Sequence, residues 1–270
     1  MNRNDAHCLD HRPVVVFDSG VGGLPYLQRL REFLPDETFS YVADTANFPY
    51  GEKSTAELND IVHRQMERLI HRIVPKLVVV ACNTASVVAL SELRAAFGLP
   101  FVGVVPAVKP AAETTENKRI GLIATRKTVE DPYTDMLESR FASHCKMYRY
   151  AGVDIVDLVE YEYFSYSSPD IERVLRPAVD YFLDMDIDRL ILACTHFIFL
   201  EKELERMLGD SVTLVDSRDG VARQTGRIIE GEGLCGPGRG QGSFFITGTD
   251  GNETYRRFAE MFGITWRGTL

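Results

Sequence analysis

Short, almost uninterrupted apolar runs rich in β-branched residues punctuate the chain: PVVVF at 13–17, TFSYVA at 38–43, KLVVVA at 76–81 and FVGVV at 101–105. A strand with one wet face alternates apolar and polar residues, whereas a strand apolar at nearly every position is buried on both faces. A parallel sheet covered by helices on each side meets that condition, and the intervening segments carry helical signals. Between the second and third runs, Leu58, Ile61, Val62, Leu69, Ile70 and Ile73 recur at helical spacing behind STAE at 54–57, a capping box. The pattern then restarts with RIGLIA (119–124), KMYRY (146–150), RLILA (189–193) and VTLV (212–215). Within this second set, Ser168, Pro169, Asp170 and Glu172 precede Ile171, Val174, Leu175, Val179 and Phe182, a capped amphipathic helix. The glycine-rich stretch 231–242 reads as a loop, and SFFIT followed by NETYRRFAEMFG reads as a final strand and helix returning to the first set.

The expected fold is therefore α/β, with two pseudo-symmetric open parallel-sheet domains. Residues 13–105 plus 219–270 form the first, residues 106–218 the second, and a polar extension at 1–12 precedes them. A chain of 270 residues accommodates two such units. VVPAVKP at 104–110 reads as the crossover between them, where a hinge would let the cleft open and close. Ligands of open α/β sheets bind beyond the carboxyl ends of the strands, so facing halves would enclose one cleft.

Composition narrows the chemistry. The net charge of -9 argues against a general nucleic-acid or anionic-membrane surface and favours a small-molecule substrate. No run of about 18 apolar residues and no signal peptide occur, which leads to the expectation of a cytoplasmic protein. The five cysteines, Cys8, Cys82, Cys145, Cys194 and Cys235, are widely spaced and form no Cys-x-x-Cys pair, so free thiols are expected.

Two of those cysteines end strands in matching settings, VVVACNTAS at 78–86 and LILACTHFI at 190–198. A single buried cysteine after an apolar strand is ordinarily a small core residue. Two at corresponding positions 112 residues apart bring four readings into competition: structural thiols, a disulfide, a metal site and a catalytic pair. Reducing conditions disfavour the disulfide. Zinc could take Cys82, Cys194 and His196 but lacks a fourth ligand and the usual spacing. Catalytic thiols fit best, because inversion of a carbon acid requires a base on one face and an acid on the other. Each must approach the thiolate state, for which Asp18 and His196 are candidate helpers. Ser19, Asn83, Thr84 and Thr195 offer neutral donors for substrate carboxylates.

DSGVGGL at 18–24 follows a strand, but Pro25 breaks the G-x-G-x-x-G pattern and no Gly-Lys-Ser/Thr follows, which removes a nucleotide site. The plain reading of its glycines is a tight turn needing unusual backbone angles. NFPYG at 47–51 reads either as a plain β-turn with an aromatic plug or as a turn that brings Tyr50 and the Gly51 amide toward the cleft, and Asp44 and Thr125 also stand at strand ends. Lys53, Lys76 and Lys109 occur in no recognisable pyridoxal phosphate setting.

With these stretches in order, VVVFDSGVGGLPYL, YVADTANFPYGEKS, VVVACNTASVVALSELR, FVGVVPAVKPA, IGLIATRKTV and LILACTHFIFL, the sequence resembles the cofactor-independent aspartate/glutamate racemase family over nearly its whole length. The resemblance implies an active site between two domains, no pyridoxal phosphate, no metal, and Cys82 and Cys194 as the two acid/base residues. It also implies that Asp18 assists the first thiol and His196 the second. Asp18, Ser19, Tyr50, Gly51, Asn83, Thr84, Thr195 and His196 match substrate-contacting positions, and Glu160 in DLVEYEY and Thr125 are further candidates. His196 leans toward glutamate over aspartate, and the implied role is to supply D-glutamate for peptidoglycan. The extended N-terminus and GVVPAVKPA resemble a subgroup activated by UDP-N-acetylmuramoyl-alanine. Family members usually carry proline where Ile198 stands, and racemases of this kind commonly form homodimers, although no stretch here identifies an interface. Two alternatives stay open beside this one: a racemase for aspartate or another amino acid, and a two-lobed small-molecule binding protein.

Overall fold

The computed structural model describes residues 9–238 and 240–270, so Cys8 and most of the 1–12 extension lie outside the described residues. The strands are β1 (Val14–Asp18), β2 (Phe39–Ala43), β3 (Leu77–Val80), β4 (Phe101–Gly103), β5 (Arg119–Ala124), β6 (Lys146–Ala151), β7 (Arg189–Leu192), β8 (Thr213–Val215), β9 (Ser243–Ile246) and β10 (Thr265–Thr269). They form two sheets, one ordered β10-β9-β2-β1-β3-β4 and the other β6-β5-β7-β8, and every neighbouring pair is parallel. Helices of the first half before the crossover are α1 (Leu24–Phe33), α2 (Thr55–Ile73) and α3 (Asn83–Ala96). The second half adds α4 (Val108–Thr114), α5 (Arg126–Glu130), α6 (Pro132–Phe141), α7 (Val153–Asp157), α8 (Ser168–Asp184) and α9 (Glu201–Leu208). Two more, α10 (Arg218–Gly231) and α11 (Asn252–Met261), complete the chain, with α10 packed along α1 and β4.

The apolar runs do what two-sided burial requires. In β1, Val14 and Val16 enter one core cluster while Val15 and Phe17 enter another, and all four are fully buried. In β7, Leu190 and Leu192 face one cluster and Ile191 the other. Each such side chain contributes about 2 kcal/mol of hydrophobic stabilisation. The cluster holding Val14 and Val16 also contains Ile155, Phe197 and Tyr255, so one face of the core runs continuously from the first half into the second.

Three local differences from the sequence expectations have physical causes. The helix expected to be capped by Ser168 is capped one residue earlier, because Ser167 and Asp170 bond reciprocally. The tail does not end with a helix: β10, TWRGT, follows α11 and adds a parallel edge strand beside β9. Its residues are only partly buried, so it lacks the apolar run that marks the inner strands. Residues Leu158–Glu162 form a π-helical turn continuing α7, a widened winding with no simple sequence signature.

Candidate active site

The cleft between the two sheets holds a cavity of about 510 Å³. Its wall takes Ser19, Tyr50, Gly51, Cys82, Asn83 and Thr84 from the first half, and Thr125, Cys194, Thr195 and His196 from the second. All ten were singled out from the sequence. The remaining two candidates, Asp18 and Glu160, are almost wholly buried and stand one layer behind that wall. Asp18, expected among the substrate contacts, does not itself border the cavity, whereas Ser19, whose amide and hydroxyl both bond to Asp18 Oδ1, does.

The two cysteines sit in nearly the same backbone, with φ and ψ of -132° and 119° at Cys82 and -140° and 133° at Cys194. Each immediately precedes a helical segment, the 14-residue α3 for Cys82 and the 3-10 turn Thr195–Leu200 for Cys194. Ile198 falls inside that turn, and its carbonyl accepts the Glu201 amide.

Around them the chemistry diverges. Cys82 Sγ lies 3.8 Å from Ser19 Oγ. Burial, and then the Asp18 carboxylate, push the Cys82 thiol well above its ordinary range, although the Ala85 amide in the first turn of α3 works the other way. Proximity of a helix N-terminus thus does not by itself produce a thiolate here. Cys194 Sγ lies 3.8 Å from His196 Nδ1, and His196 Nε2 lies 2.9 Å from Glu160 Oε2. Burial alone would lower the imidazole, but hydrogen bonding to Cys194 and Glu160 outweighs it and holds the ring well above the usual histidine range. An imidazolium donates from both nitrogens, which suits it to stand between a thiolate and a carboxylate.

Asp18 Oδ1 accepts the Ser19 amide at 2.5 Å, while Oδ2 accepts the hydroxyl of Thr195 from the other half at 3.0 Å. Burial raises its carboxyl to about 6, against the lowering influence of His196 and Thr195. Glu160 Oε2 also accepts the Val21 amide at 2.9 Å, and Oε1 accepts the Tyr255 hydroxyl from α11 at 2.6 Å. Asp18 and Glu160 therefore each tie one half to the other directly beneath the thiols.

The glycines of DSGVGGL serve this closeness rather than unusual backbone angles. None of Gly20, Gly22 and Gly23 has a positive φ. A Cβ on Gly20 would collide with the Glu160 carboxylate, and one on Gly22 would fall 2.5 Å from His196 Nδ1 and closer still to Thr195 Oγ1. Tyr41 clamps the turn by donating to the Gly20 carbonyl and accepting the Gly23 amide.

Asn83 presents an unpartnered amide to the cavity. Its side chain borders the cavity, is 3% exposed, and neither Oδ1 nor Nδ2 has a partner. A buried amide left unpaired costs about 1–3 kcal/mol, so an occupant of the cavity is expected to satisfy it. Thr84 Oγ1 and Thr125 Oγ1 approach each other at 3.2 Å across the cleft. Tyr50 donates to Asp44 Oδ2 at 2.5 Å, and Thr247 of the tail donates to Asp44 Oδ1, so Asp44 fixes the turn that carries Tyr50 and Gly51.

Sequence reading missed Tyr255, and it missed Phe48, Glu52, Arg126 and Asp157, which also border the cavity. Glu52 and Arg126 directly follow residues that were named, but an exposed charge has no periodic signature. Lys53, Lys76 and Lys109 are paired with Glu57, Glu37 and Glu113, and none reaches the cavity wall.

A family model described as Asp/Glu/Hydantoin racemase matches residues 26–225, and the chain belongs to that family. Its relatives within the family point to one member. The glutamate racemase of Klebsiella pneumoniae is 42% identical over 226 residues, covering 83% of this chain and 79% of its own. A glutamate racemase from Escherichia coli, solved with L-glutamate and the activator UDP-MurNAc-ala, aligns with a TM-score of 0.86 at 38% identity, over 96% of this chain and 98% of its own. The enzyme from Francisella tularensis, solved with D-glutamate, gives a TM-score of 0.79 at 26% identity, over 97% of each chain.

Proposed function

We propose that the chain is a glutamate racemase that interconverts L- and D-glutamate by two-base proton transfer between Cys82 and Cys194. The observation that carries this reading is a single cavity bordered by one buried thiol from each half. With the glutamate α-carbon between them, the thiolate of one cysteine takes the α-proton. The thiol of the other gives its proton to the opposite face, and the two exchange protonation states. Neutral donors, the Asn83 amide and the Thr84 and Thr195 hydroxyls, stabilise charge that builds on the substrate carboxylate as the proton leaves. His196 and Glu160 serve the Cys194 side, and Asp18 with Ser19 serves the Cys82 side. Tyr50 and Gly51 form the wall against the rest of the substrate. The D-glutamate formed would serve peptidoglycan synthesis, consistent with the relatives above.

The activator named for the Escherichia coli relative extends this reading. The crossover segment GVVPAVKPA supports regulation by the same class of compound, a UDP-N-acetylmuramoyl-alanine, and the expected outcome is higher turnover or a higher melting temperature on its addition. Among the described residues no helix is long and apolar enough to cross a membrane.

Proton NMR of L-glutamate in deuterated water, with circular dichroism in parallel and L-aspartate as a second substrate, tests the activity. Loss of the glutamate α-proton signal together with optical activity is the expected result. Exchange with aspartate alone would change the substrate, and binding without exchange of either would replace catalysis by a two-lobed binding function.

A further inference from the structure

Apart from His196, which is already engaged between Cys194 and Glu160, the cavity wall around the thiols is built from neutral groups, yet glutamate carries two carboxylates against one ammonium. The electrostatics of entry therefore rest on the rim. There Glu52 comes from the first half, and Asp157, at the end of α7, from the second; both are exposed and both border the cavity. They lie close enough that Glu52, after burial, contributes to raising the Asp157 carboxyl above its ordinary range. Two like charges at the entrance of an acidic protein repel an anionic substrate.

Arg126, the first residue of α5, is the single lysine or arginine bordering the cavity among the described residues. It is exposed and has no hydrogen-bond or ion-pair partner there, whereas its neighbour Lys127 is engaged with the Thr55 hydroxyl. It follows Thr125, whose side chain caps α5, so its backbone is held beside a cavity-wall residue while the guanidinium donors remain uncommitted.

On the reading that the substrate is glutamate, we propose that Arg126 is a specificity-determining residue that draws the anionic substrate into the cleft by charge, offsetting Glu52 and Asp157. Its action is uniform along the reaction path, because it stands at the rim and not at the carbon being inverted. Such a residue changes KM and leaves kcat in place. Its effect is Coulombic, so salt screens it, and a lysine replaces it.

The experiment is steady-state racemisation of L- and D-glutamate by the wild-type chain and by Arg126→Gln, Arg126→Lys, Glu52→Gln and Asp157→Asn, each at low and at high sodium chloride. Arg126→Gln is expected to raise KM about fivefold at low salt, the scale of one exposed charge pair, with kcat within about twofold. The ratio of variant to wild-type KM shrinks toward one as salt rises. Arg126→Lys stays near wild type, and the two acid-neutralising variants lower KM. An unchanged KM in Arg126→Gln, a ratio insensitive to salt, a fall in kcat as large as that in kcat/KM, or a lysine variant as impaired as the glutamine one would each overturn the proposal. A wild-type chain that exchanges no glutamate α-proton overturns the substrate reading itself and this inference with it. An active wild type with an indifferent Arg126→Gln removes Arg126 alone.

Discussion

The strand end at Cys82 and the strand end at Cys194 are near copies in backbone and opposites in electrostatics. Both cysteines hold extended dihedrals within about 15° of each other and each precedes a helical segment. Around Cys82 the neighbours are a hydroxyl and a carboxylate, and burial together with the Asp18 carboxylate keeps the thiol protonated against the lowering influence of the Ser19 hydroxyl. Around Cys194 the neighbour is a histidine backed by a carboxylate and held in its charged form. The two strand ends thus share the position of the thiol and differ in the groups beside it. A two-base reaction needs one thiol and one thiolate at the start of each turnover, and the two cysteines exchange these states with every inversion.

Removing either thiol should have the largest effect. Cys82→Ser and Cys194→Ser are each expected to reduce racemisation by at least about 10³-fold, since a hydroxyl is a far weaker acid than a thiol, while the melting temperature stays within a few degrees. Polarimetry with a thermal melt checks both, and near-normal turnover in either variant would remove the equivalence of the two stations. His196→Asn comes next, with kcat lower by about 10²-fold and KM changed far less. An equal loss in binding would make His196 a substrate contact and not a proton-transfer partner. L- and D-glutamate have equal free energies, so every variant must lose kcat/KM equally in both directions. A defect confined to the Cys194 side shows instead as different primary deuterium isotope effects for the two enantiomers.

A smaller effect tests the Cys82 side through pH. The Asp18 carboxyl, raised from 3.8 to about 6, binds its proton below that pH and is an anion above it. If the anion is the working form, kcat/KM should rise through about pH 6, and Asp18→Asn should lose that limb along with about tenfold in rate. Stability moves oppositely: the contribution of a raised carboxyl is fully present below 3.8 and lost as pH rises through about 6. Thermal melts from pH 4 to 7 should therefore decline in the wild type more than in Asp18→Asn. The smallest expected change is that of Tyr255→Phe, which removes one donor to Glu160 and should lower kcat about fivefold. Because the Tyr255 hydroxyl bonds to Glu160, the carboxylate behind His196, its isotope effects should be unequal between enantiomers, and equal ones would separate it from the Cys194 station.

How far the sequence carried the site depends on what each residue does. Strand-end residues such as Cys82, Asn83, Cys194 and Thr195 were legible because apolar runs mark where a parallel sheet stops, and ligands bind there. The sheets were legible for the same reason, whereas β10 lacks such a run and escaped notice. Tyr255 lies 95 residues from Glu160, and nothing local in NETYRRF reveals a hydroxyl aimed at another half of the molecule. Arg126 escaped because the rim is defined only by how two separate sheets meet.

Glycine is the lower limit of side-chain size, and Gly20 and Gly22 already use that limit where the halves touch beneath the thiols. Mutation there has only one direction available: it can thicken the contact and never thin it. Any side chain added at either position would press on the Glu160 carboxylate or on Thr195 and His196, so these two glycines set how closely the first half can approach the groups that support Cys194.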